Sequence, residues 1–394
     1  MSNNNSERKI LIVDDLPINV KVLEGYLKPE EYTIIKAYSG EEALKKFEIE
    51  KPDLILLDIM MPVIDGNEVC RRIRSDFNDN LTPIIMVTAL DDRKIQSLDN
   101  GANDFITKPV DRYELLARVK SLLRIKELQD ELIKANKQFE YELALAKDVQ
   151  QALLPQELPK IPKLEFFYRY VPSLIIGGDF FDIQEITPSL VAVLVCDVMG
   201  HGPQAAMITG IVKTFFIQLV RYYPNPDDLL FQMNNRFCNL MSESNLQIFI
   251  TALCLVINTQ KEMVTCASAG HPNPFIIKSH GSHFEEFKVE PGPALGMVPE
   301  ALYQNQKLAI EDGDMMFLFT DGLLELKNED GIQFGEKEIY NAIQNNMHLS
   351  PEGFVEAILD FANIFANGMY TEDDVTLIAF RYNNAKTEKQ FSLI

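Results

Sequence analysis

No apolar stretch in this chain is long enough to cross a bilayer, and the amino terminus, MSNNNSERK, is polar and lacks the hydrophobic region of a signal peptide. The expectation is a cytoplasmic protein with no membrane partner. Cysteine is sparse: Cys70, Cys196, Cys238, Cys254 and Cys266 are scattered, form no CxxC pair and mostly lie in apolar runs. That spacing argues against a disulfide framework or a thiolate zinc site and reads as reduced core residues. Basic residues are also short, with 37 Lys and Arg against 58 Asp and Glu, a formal charge of −21. Phosphate backbones need basic surfaces, so a nucleic-acid partner is not expected, and no basic recognition helix is present. There is no internal repeat, and no low-complexity segment beyond short polar termini. What is there is a 394-residue chain of ordinary globular composition, too long for one core and expected to form two or three domains. Its surplus of acid suits sites in which clustered aspartates hold divalent cations.

The first part alternates apolar runs with helical patterns. Lys9–Val13, Tyr32–Ala37, Leu54–Leu57, Ile84–Val87 and Asp104–Ile106 read as strands, and helices are expected from near Ile18, Gly40, Asn67, Asp92 and Arg112. Strands separated by helices imply parallel pairing in a doubly wound α/β sheet, whose chemistry gathers at the carboxyl ends of the strands. From Arg112 the helical pattern runs to about Leu154 without Gly or Pro. Ile125, Leu132, Phe139, Ala146 and Leu153 recur at every seventh position, with Leu128, Ala135 and Val149 interleaved and Glu142 interrupting. This seam predicts a coiled coil and a homodimer through it, the alternative being a single amphipathic helix packed on a neighbour. After Pro155 the pattern turns strand-rich, with Leu190–Cys196, Ile248–Asn258, Met263–Ala267, Phe275–Lys278, Met315–Phe319 and Val375–Tyr382 as strands. Helices are expected near Pro203–Tyr222, Pro226–Ser242 and Pro351–Ala366, making an α/β sandwich. The expected organisation is residues 1–124, a helical linker 125–154, and a second domain 155–394.

At the predicted strand ends of the first domain stand Asp14 and Asp15, Asp58 in LILLDIMMP, Thr88 in IIMVTAL, and Lys108 in DFITKPV. Asp15 and Asp58 can hold a hard cation such as Mg²⁺, with Asp14 joining through water. The cation neutralises a phosphoryl group attacked by the Asp58 carboxylate, while Lys108 and the Thr88 hydroxyl reach phosphoryl oxygens. A lone strand-ending Asp is usually a turn residue; the ordered set is specific. On these motifs, residues about 7 to 124 resemble a response-regulator receiver domain of the CheY-like fold. The resemblance implies that Asp58 accepts phosphate from a sensor histidine kinase. It also implies that Thr88 and Phe105 form a switch pair, that the Lys108–Pro109 bond is cis, and that the backbone carbonyl of Met60 adds a metal contact.

Four acidic motifs mark the second domain: IGGDFFD (Ile176–Asp182), CDVMGHG (Cys196–Gly202), FTDGLLE (Phe319–Glu325) and EDDVT (Glu372–Thr376). Three of them abut apolar strands. Carboxylates crowded at strand ends are costly unless positive charge sits among them. Two divalent cations would supply that charge and activate water for attack on a phosphoryl group. An Asp-Gly pair such as Asp321–Gly322 can also be a simple turn. The four motifs in order, with AGHPNP (Ala269–Pro274) and GPALG (Gly292–Gly296), resemble the SpoIIE-like, RsbU-type branch of the metal-dependent, protein phosphatase 2C-like superfamily, over roughly residues 155 to 383. AKDVQQALLP (Ala146–Pro155) is similar to that branch's entry helix.

The resemblance implies that Asp179, Asp197, Asp321 and Asp373 hold two Mn²⁺ or Mg²⁺ ions, Asp197 bridging both and the Val198 carbonyl adding a contact. Asp374 stands where other branches carry Asn. His201 is a candidate general acid, with a turn role as the alternative; His271 reads as structural. No Ser-His-Asp or Cys-x5-Arg motif offers a covalent route. The implied activity is a protein-serine/threonine phosphatase controlled by Asp58 phosphorylation. Its implied substrate is a phosphorylated anti-sigma-factor antagonist or similar STAS-domain protein. The rival expectation is a non-catalytic adaptor that uses the same fold as a phosphorylation-gated binding surface.

Overall fold

The computed structural model describes residues 7–89, 101–200, 202–243, 246–279, 283–367 and 373–384. The helix expected from near Asp92, along with His201 and Glu372, lies outside these residues. The chain forms two compact units, Met1–Phe139 and Glu140–Ile394.

The first unit is built on five strands, β1 (Lys9–Val13), β2 (Thr33–Ala37), β3 (Leu54–Asp58), β4 (Ile84–Thr88) and β5 (Asp104–Thr107). They pair in parallel in the order β2-β1-β3-β4-β5. Successive side chains on a strand point to opposite faces, and the core divides accordingly. Ile10, Ile12, Leu54, Leu56, Ile85 and Val87 pack on one face, against α1 (Pro17–Leu27) and the first turns of α4 (Arg112–Leu153). Leu11, Val13, Ile55, Leu57, Ile84 and Met86 pack on the other, against α2 (Gly40–Glu50) and α3 (Gly66–Ser75). Ser39 and Asp65 cap α2 and α3 by accepting the backbone N–H groups of Glu42 and Glu68. With both faces covered, every residue of β3 is buried, and the only way out for its terminal acid is the sheet edge.

Helix α4 runs unbroken from Arg112 to Leu153, as the absence of Gly and Pro predicts. Ile125, Leu128, Leu132, Phe139 and Val149 are exposed on it. No described helix is long and apolar enough to cross a membrane.

The second unit stacks two antiparallel five-stranded sheets between helices. One sheet has the order β13-β10-β9-β8-β7, from β7 (Asp179–Thr187), β8 (Leu190–Val198), β9 (Ile250–Asn258), β10 (Met263–Ala269) and β13 (Gln306–Ala309). The other has the order β12-β11-β14-β15-β6, from β6 (Leu164–Val171), β11 (Phe275–Ile277), β12 (Phe284–Glu286), β14 (Met315–Phe319) and β15 (Val375–Tyr382). Helices α5 (Pro203–Leu219) and α6 (Pro226–Met241) pack with the first sheet. Helices α8 (Gly335–Asn346) and α9 (Pro351–Ala366) pack with the second, while α7 (Gly322–Glu325) is a single turn after β14. On β14 and β15 the period-two alternation is clean. Met316, Leu318, Ile378 and Phe380 join the core shared with the first sheet; Met315, Phe317, Leu377 and Ala379 join the helices outside. The α/β sandwich expected from the sequence is present. Strands β6, β7, β12 and β13 and helix α8 were not expected from the apolar pattern, because edge position or interspersed polar residues weaken their periodicity. Four cysteines are buried, Cys238 is half-buried, and all five are free.

The Asp321–Gly322 pair is more than a turn. A Cβ at Gly322 would lie 2.0 Å from the carbonyl oxygen of Asp374, so the strand-to-helix connection passes against the β15 entry at a distance that only glycine permits. Gly322→Ala should therefore destabilise the second unit by about 1–3 kcal/mol, read as an earlier urea midpoint for that unit with the first unit's midpoint unchanged. An unaltered second transition would show that the contact relaxes freely.

Candidate functional site

In the first unit the strand ends bring four of the expected side chains together. Asp14, just past β1, is almost fully buried. Its Oδ1 accepts from the Leu16 N–H at 2.9 Å and from Asn19 Nδ2 at 2.9 Å, and its Oδ2 accepts from Lys108 Nζ at 2.8 Å. Asp58, the last residue of β3, takes the Lys108 ammonium on Oδ1 at 2.5 Å and the Met60 N–H on Oδ2 at 3.1 Å. Carboxylate oxygens of Asp14, Asp15 and Asp58 lie within 4.8 Å of one another. Three acids this close to one ammonium make a set of hard oxygen donors suited to Mg²⁺. Burial pushes the Asp58 carboxyl up, outweighing the pull of Lys108. Burial would lower the Lys108 ammonium, but its bonds to Asp14 and Asp58 prevail and raise it.

Thr88 closes β4, buried, and its carbonyl accepts from the Lys108 N–H at 2.7 Å. Phe105 is half-buried against the core of the α2–α3 face, and the Lys108–Pro109 bond is cis. Asn19, which orients Asp14, was not foreseen; an Asn in the first helical turn after DDLP is the signal that could have found it.

In the second unit the four acidic motifs converge from both sheets. Asp179 opens β7 and stands directly opposite Asp197 in the β7–β8 register. Asp321 follows β14 and precedes α7, while Asp373 and Asp374 lead into β15. Asp179 Oδ2 accepts from the Thr320 hydroxyl at 2.7 Å and the Thr376 hydroxyl at 2.6 Å. The two threonines are themselves joined, Thr376 N–H donating to Thr320 Oγ1 at 2.9 Å. Both were missed from the sequence, although their inward parity on the β14 and β15 lines was readable.

Asp374 is buried and acts on backbone. Its Oδ2 accepts from the N–H groups of Gly178, at 2.5 Å, and Asp179, at 3.3 Å, and its Oδ1 from the Ser173 N–H at 2.7 Å. Gly178 runs close to the end of β8: a Cβ there would sit 2.8 Å from the Val198 carbonyl oxygen.

The electrostatics of this edge are one-sided. Burial first, and then the neighbouring acids Asp321, Asp373, Asp374 and Glu325, together push the Asp197 carboxyl up to about 8. Asp179 is raised by burial and by Asp197, with the two threonine hydroxyls pulling the other way. Asp321 is raised by burial, Asp373 and Glu325. Among the described residues, only the Asp14–Asp15–Asp58 group brings three acids within 4.8 Å of one another. His271 is buried, with Nδ1 2.9 Å from the Thr251 hydroxyl and its pKa lowered to about 3 by burial, in keeping with a structural role. His201, the candidate general acid, is outside the described residues.

Comparison with known proteins follows the same division. The response regulator receiver domain family matches residues 10–120, and the Stage II sporulation protein E (SpoIIE) family matches residues 187–383. The chain is similar to the response regulator PleD of Caulobacter vibrioides, 47% identical over 126 residues, which are 32% of this chain and 28% of that protein. It is also similar to the alkaline phosphatase synthesis transcriptional regulatory protein PhoP of Bacillus subtilis, 47% identical over 123 residues, 31% of this chain and 50% of that protein. The chain thus spans between about a quarter and a half of the length of these curated relatives. The SiaA-PP2C domain of Pseudomonas aeruginosa shares its fold over 63% of this chain and 99% of that one, at 22% identity and a TM-score of 0.57. With a receiver fold ahead of two stacked antiparallel sheets whose acids meet at one edge, and with half of its residues matched by the family model, the chain belongs to the SpoIIE family and carries a response regulator receiver domain in front of the SpoIIE segment.

Proposed function

We propose that this chain is a two-component response regulator in which phosphorylation of Asp58 controls a metal-dependent protein-serine/threonine phosphatase. The observation that carries the phosphatase reading is the setting of Asp197, directly opposite Asp179 in the β7–β8 register at an edge that Asp374 joins from the second sheet, where burial and neighbouring acids raise its carboxyl. Such a group persists when cations are shared among its carboxylates, and an all-oxygen donor set fits Mn²⁺ or Mg²⁺. Asp179, Asp197, Asp321 and Asp373 would hold two such ions, with the Val198 carbonyl adding a contact. When bound, the ions activate water and neutralise phosphoryl charge. The hydrolysed bond is the phosphoester of a phosphoserine or phosphothreonine, giving free hydroxyl and inorganic phosphate. Thr320 and Thr376 fix Asp179 by occupying Oδ2, and Asp374 holds the Gly178–Asp179 backbone in place. Retention of all four aspartates favours the enzyme over a non-catalytic adaptor.

In the receiver, an Asp58 oxygen forms the bond to phosphorus as the phosphorus–nitrogen bond of a histidine kinase's phosphohistidine breaks. Lys108 already touches Asp58 and offers positive charge to the incoming phosphoryl oxygens. Asp14, Asp15 and Asp58, with the Met60 carbonyl, would hold the Mg²⁺ that screens the attack. Thr88 and Phe105 would report the phosphorylated state. The phosphoprotein substrate we favour is an anti-sigma-factor antagonist or similar STAS-domain protein. Helix α4 is read as the dimer seam and the route of coupling: an unbroken helix passes on a change in packing that a Gly/Ser linker would absorb.

Three tests follow from this reading. With acetyl phosphate and Mg²⁺ the protein should gain one phosphoryl group by mass, and Asp58→Asn should gain none; uptake at the wild-type rate in that variant would overturn the assignment. Asp197→Ala should lower Mn²⁺-dependent turnover of a phosphoserine protein by about 10²-fold or more, with circular dichroism unchanged; near-normal turnover would remove the metal mechanism. Leu132→Asp combined with Phe139→Asp should give a monomer in sedimentation and uncouple activity from Asp58 phosphorylation. A dimer that still responds in full would reduce α4 to a spacer.

A further inference from the structure

The loop that delivers Asp179 to the site has three successive backbone N–H groups, at Gly177, Gly178 and Asp179. Two of them are taken by Asp374. The third, on Gly177, is taken by a side chain from the end of α4. Gln150 Oε1 accepts the Gly177 N–H at 3.1 Å, and Gln150 Nε2 donates to the Gly177 carbonyl at 2.6 Å. Both ends of one side-chain amide are therefore spent on both polar groups of one residue, two positions before Asp179. Gln150 is 6% exposed, whereas Val149 beside it is 65% exposed, so the amide is buried on the face of the helix that meets the loop. An amide out of water with either end unpaired is costly, which favours this one pairing over others.

The same helix end is fastened a second time without touching the loop. Lys213 of α5 donates to the Leu153 carbonyl, one of the terminal carbonyls that a helix leaves without an internal partner, and Leu154 is buried in the core. Fastening and clasping are thus separate contacts on adjacent turns. The loop is held by two elements, Asp374 at the β15 entry and Gln150 at the helix end, and both reach it through backbone atoms that any mutation of the loop's own side chains would leave in place.

We infer that Gln150 is a positioning residue for the cation site of the phosphatase, acting by fixing the Gly177 peptide and through it the Gly178–Asp179 segment. This rests on the metal-dependent reading given above. Residues that orient the ligands of a metal typically contribute about 10- to 100-fold in affinity. The device differs from Asp374 in one respect: its origin is α4, so the order of the loop depends on the last turns of that helix being formed.

The test uses the full chain and three variants, with Mn²⁺ as the probe. Gln150→Met keeps length and apolar stem and removes the amide; Lys213→Met loosens the same helix end and leaves the clasp. Asp197→Ala retains the receiver's acids and serves as the calorimetric blank for their binding. Two readouts are taken: Mn²⁺ titration by calorimetry, and metal-free hydrogen exchange of peptides covering 174–182. Gln150→Met should speed exchange across 174–182 and raise the half-saturating Mn²⁺ concentration about tenfold. Lys213→Met should speed exchange near 150–154 and leave Mn²⁺ binding within about twofold, because the loop bonds remain. Unchanged exchange and binding in Gln150→Met would overturn the inference. So would equal weakening in Lys213→Met, which would mean general undocking of the helix. If wild type binds no more Mn²⁺ than Asp197→Ala, the metal reading itself fails and the inferred role in cation binding falls with it. The exchange data then still decide whether Gln150 orders the loop.

Discussion

One carboxyl oxygen ties the two sheets of the second unit together at their acidic edge. Asp179 Oδ2 belongs to the first sheet, and the two hydroxyls that reach it, from Thr320 and Thr376, belong to the second. Two sheets stacked on apolar side chains alone can slide relative to each other at little cost, because dispersion contacts are not directional. Hydrogen bonds to a buried carboxyl are directional, so this junction sets the register of the sheets at one edge. The positions of Asp197, Asp321 and Asp373 all follow from it, since each lies within a residue or a few of a strand that the junction fixes.

The two units handle crowded carboxylates in different ways. In the first, Lys108 supplies a permanent positive charge between Asp14 and Asp58, so the acids stand close together before any ion arrives. In the second, burial and neighbouring acids together raise Asp179, Asp197 and Asp321. Under the proposed phosphorylation of Asp58, Lys108 would also place a fixed cation on one phosphoryl oxygen.

The sequence disclosed whatever depends on local pattern. Strand β3 ends on Asp58 because LILL is apolar at every position, and α4 is continuous because nothing between Arg112 and Leu153 breaks it. Asp321 and Asp373 were visible for the same reason, each flanking an apolar run. Strand β7 was not, because DFFDIQEIT mixes acids and apolar residues, and with it went the direct opposition of Asp179 and Asp197. What stayed hidden as well were contacts between residues far apart along the chain. Gln150 and Gly177 are 27 positions apart, and Asp374 and Ser173 are 201 apart. No periodicity encodes such a pairing. Thr320 and Thr376 fall between: their inward parity was legible, their common partner was not.

Strand β6 opens the second unit and β15 is the last described strand of the same unit, yet the two lie side by side, paired from Leu164–Tyr382 to Val171–Val375. A ribosome makes β6 some two hundred residues before its partner exists. The first unit's parallel sheet, finished by β5 and the start of α4, is complete long before that. During synthesis the first unit can therefore fold while the second sheet still lacks an inner strand. Thr376 and Asp374 arrive with that strand, so the acidic edge is assembled last, and a chain truncated before β15 would carry the receiver fold followed by an open, edge-exposed sheet.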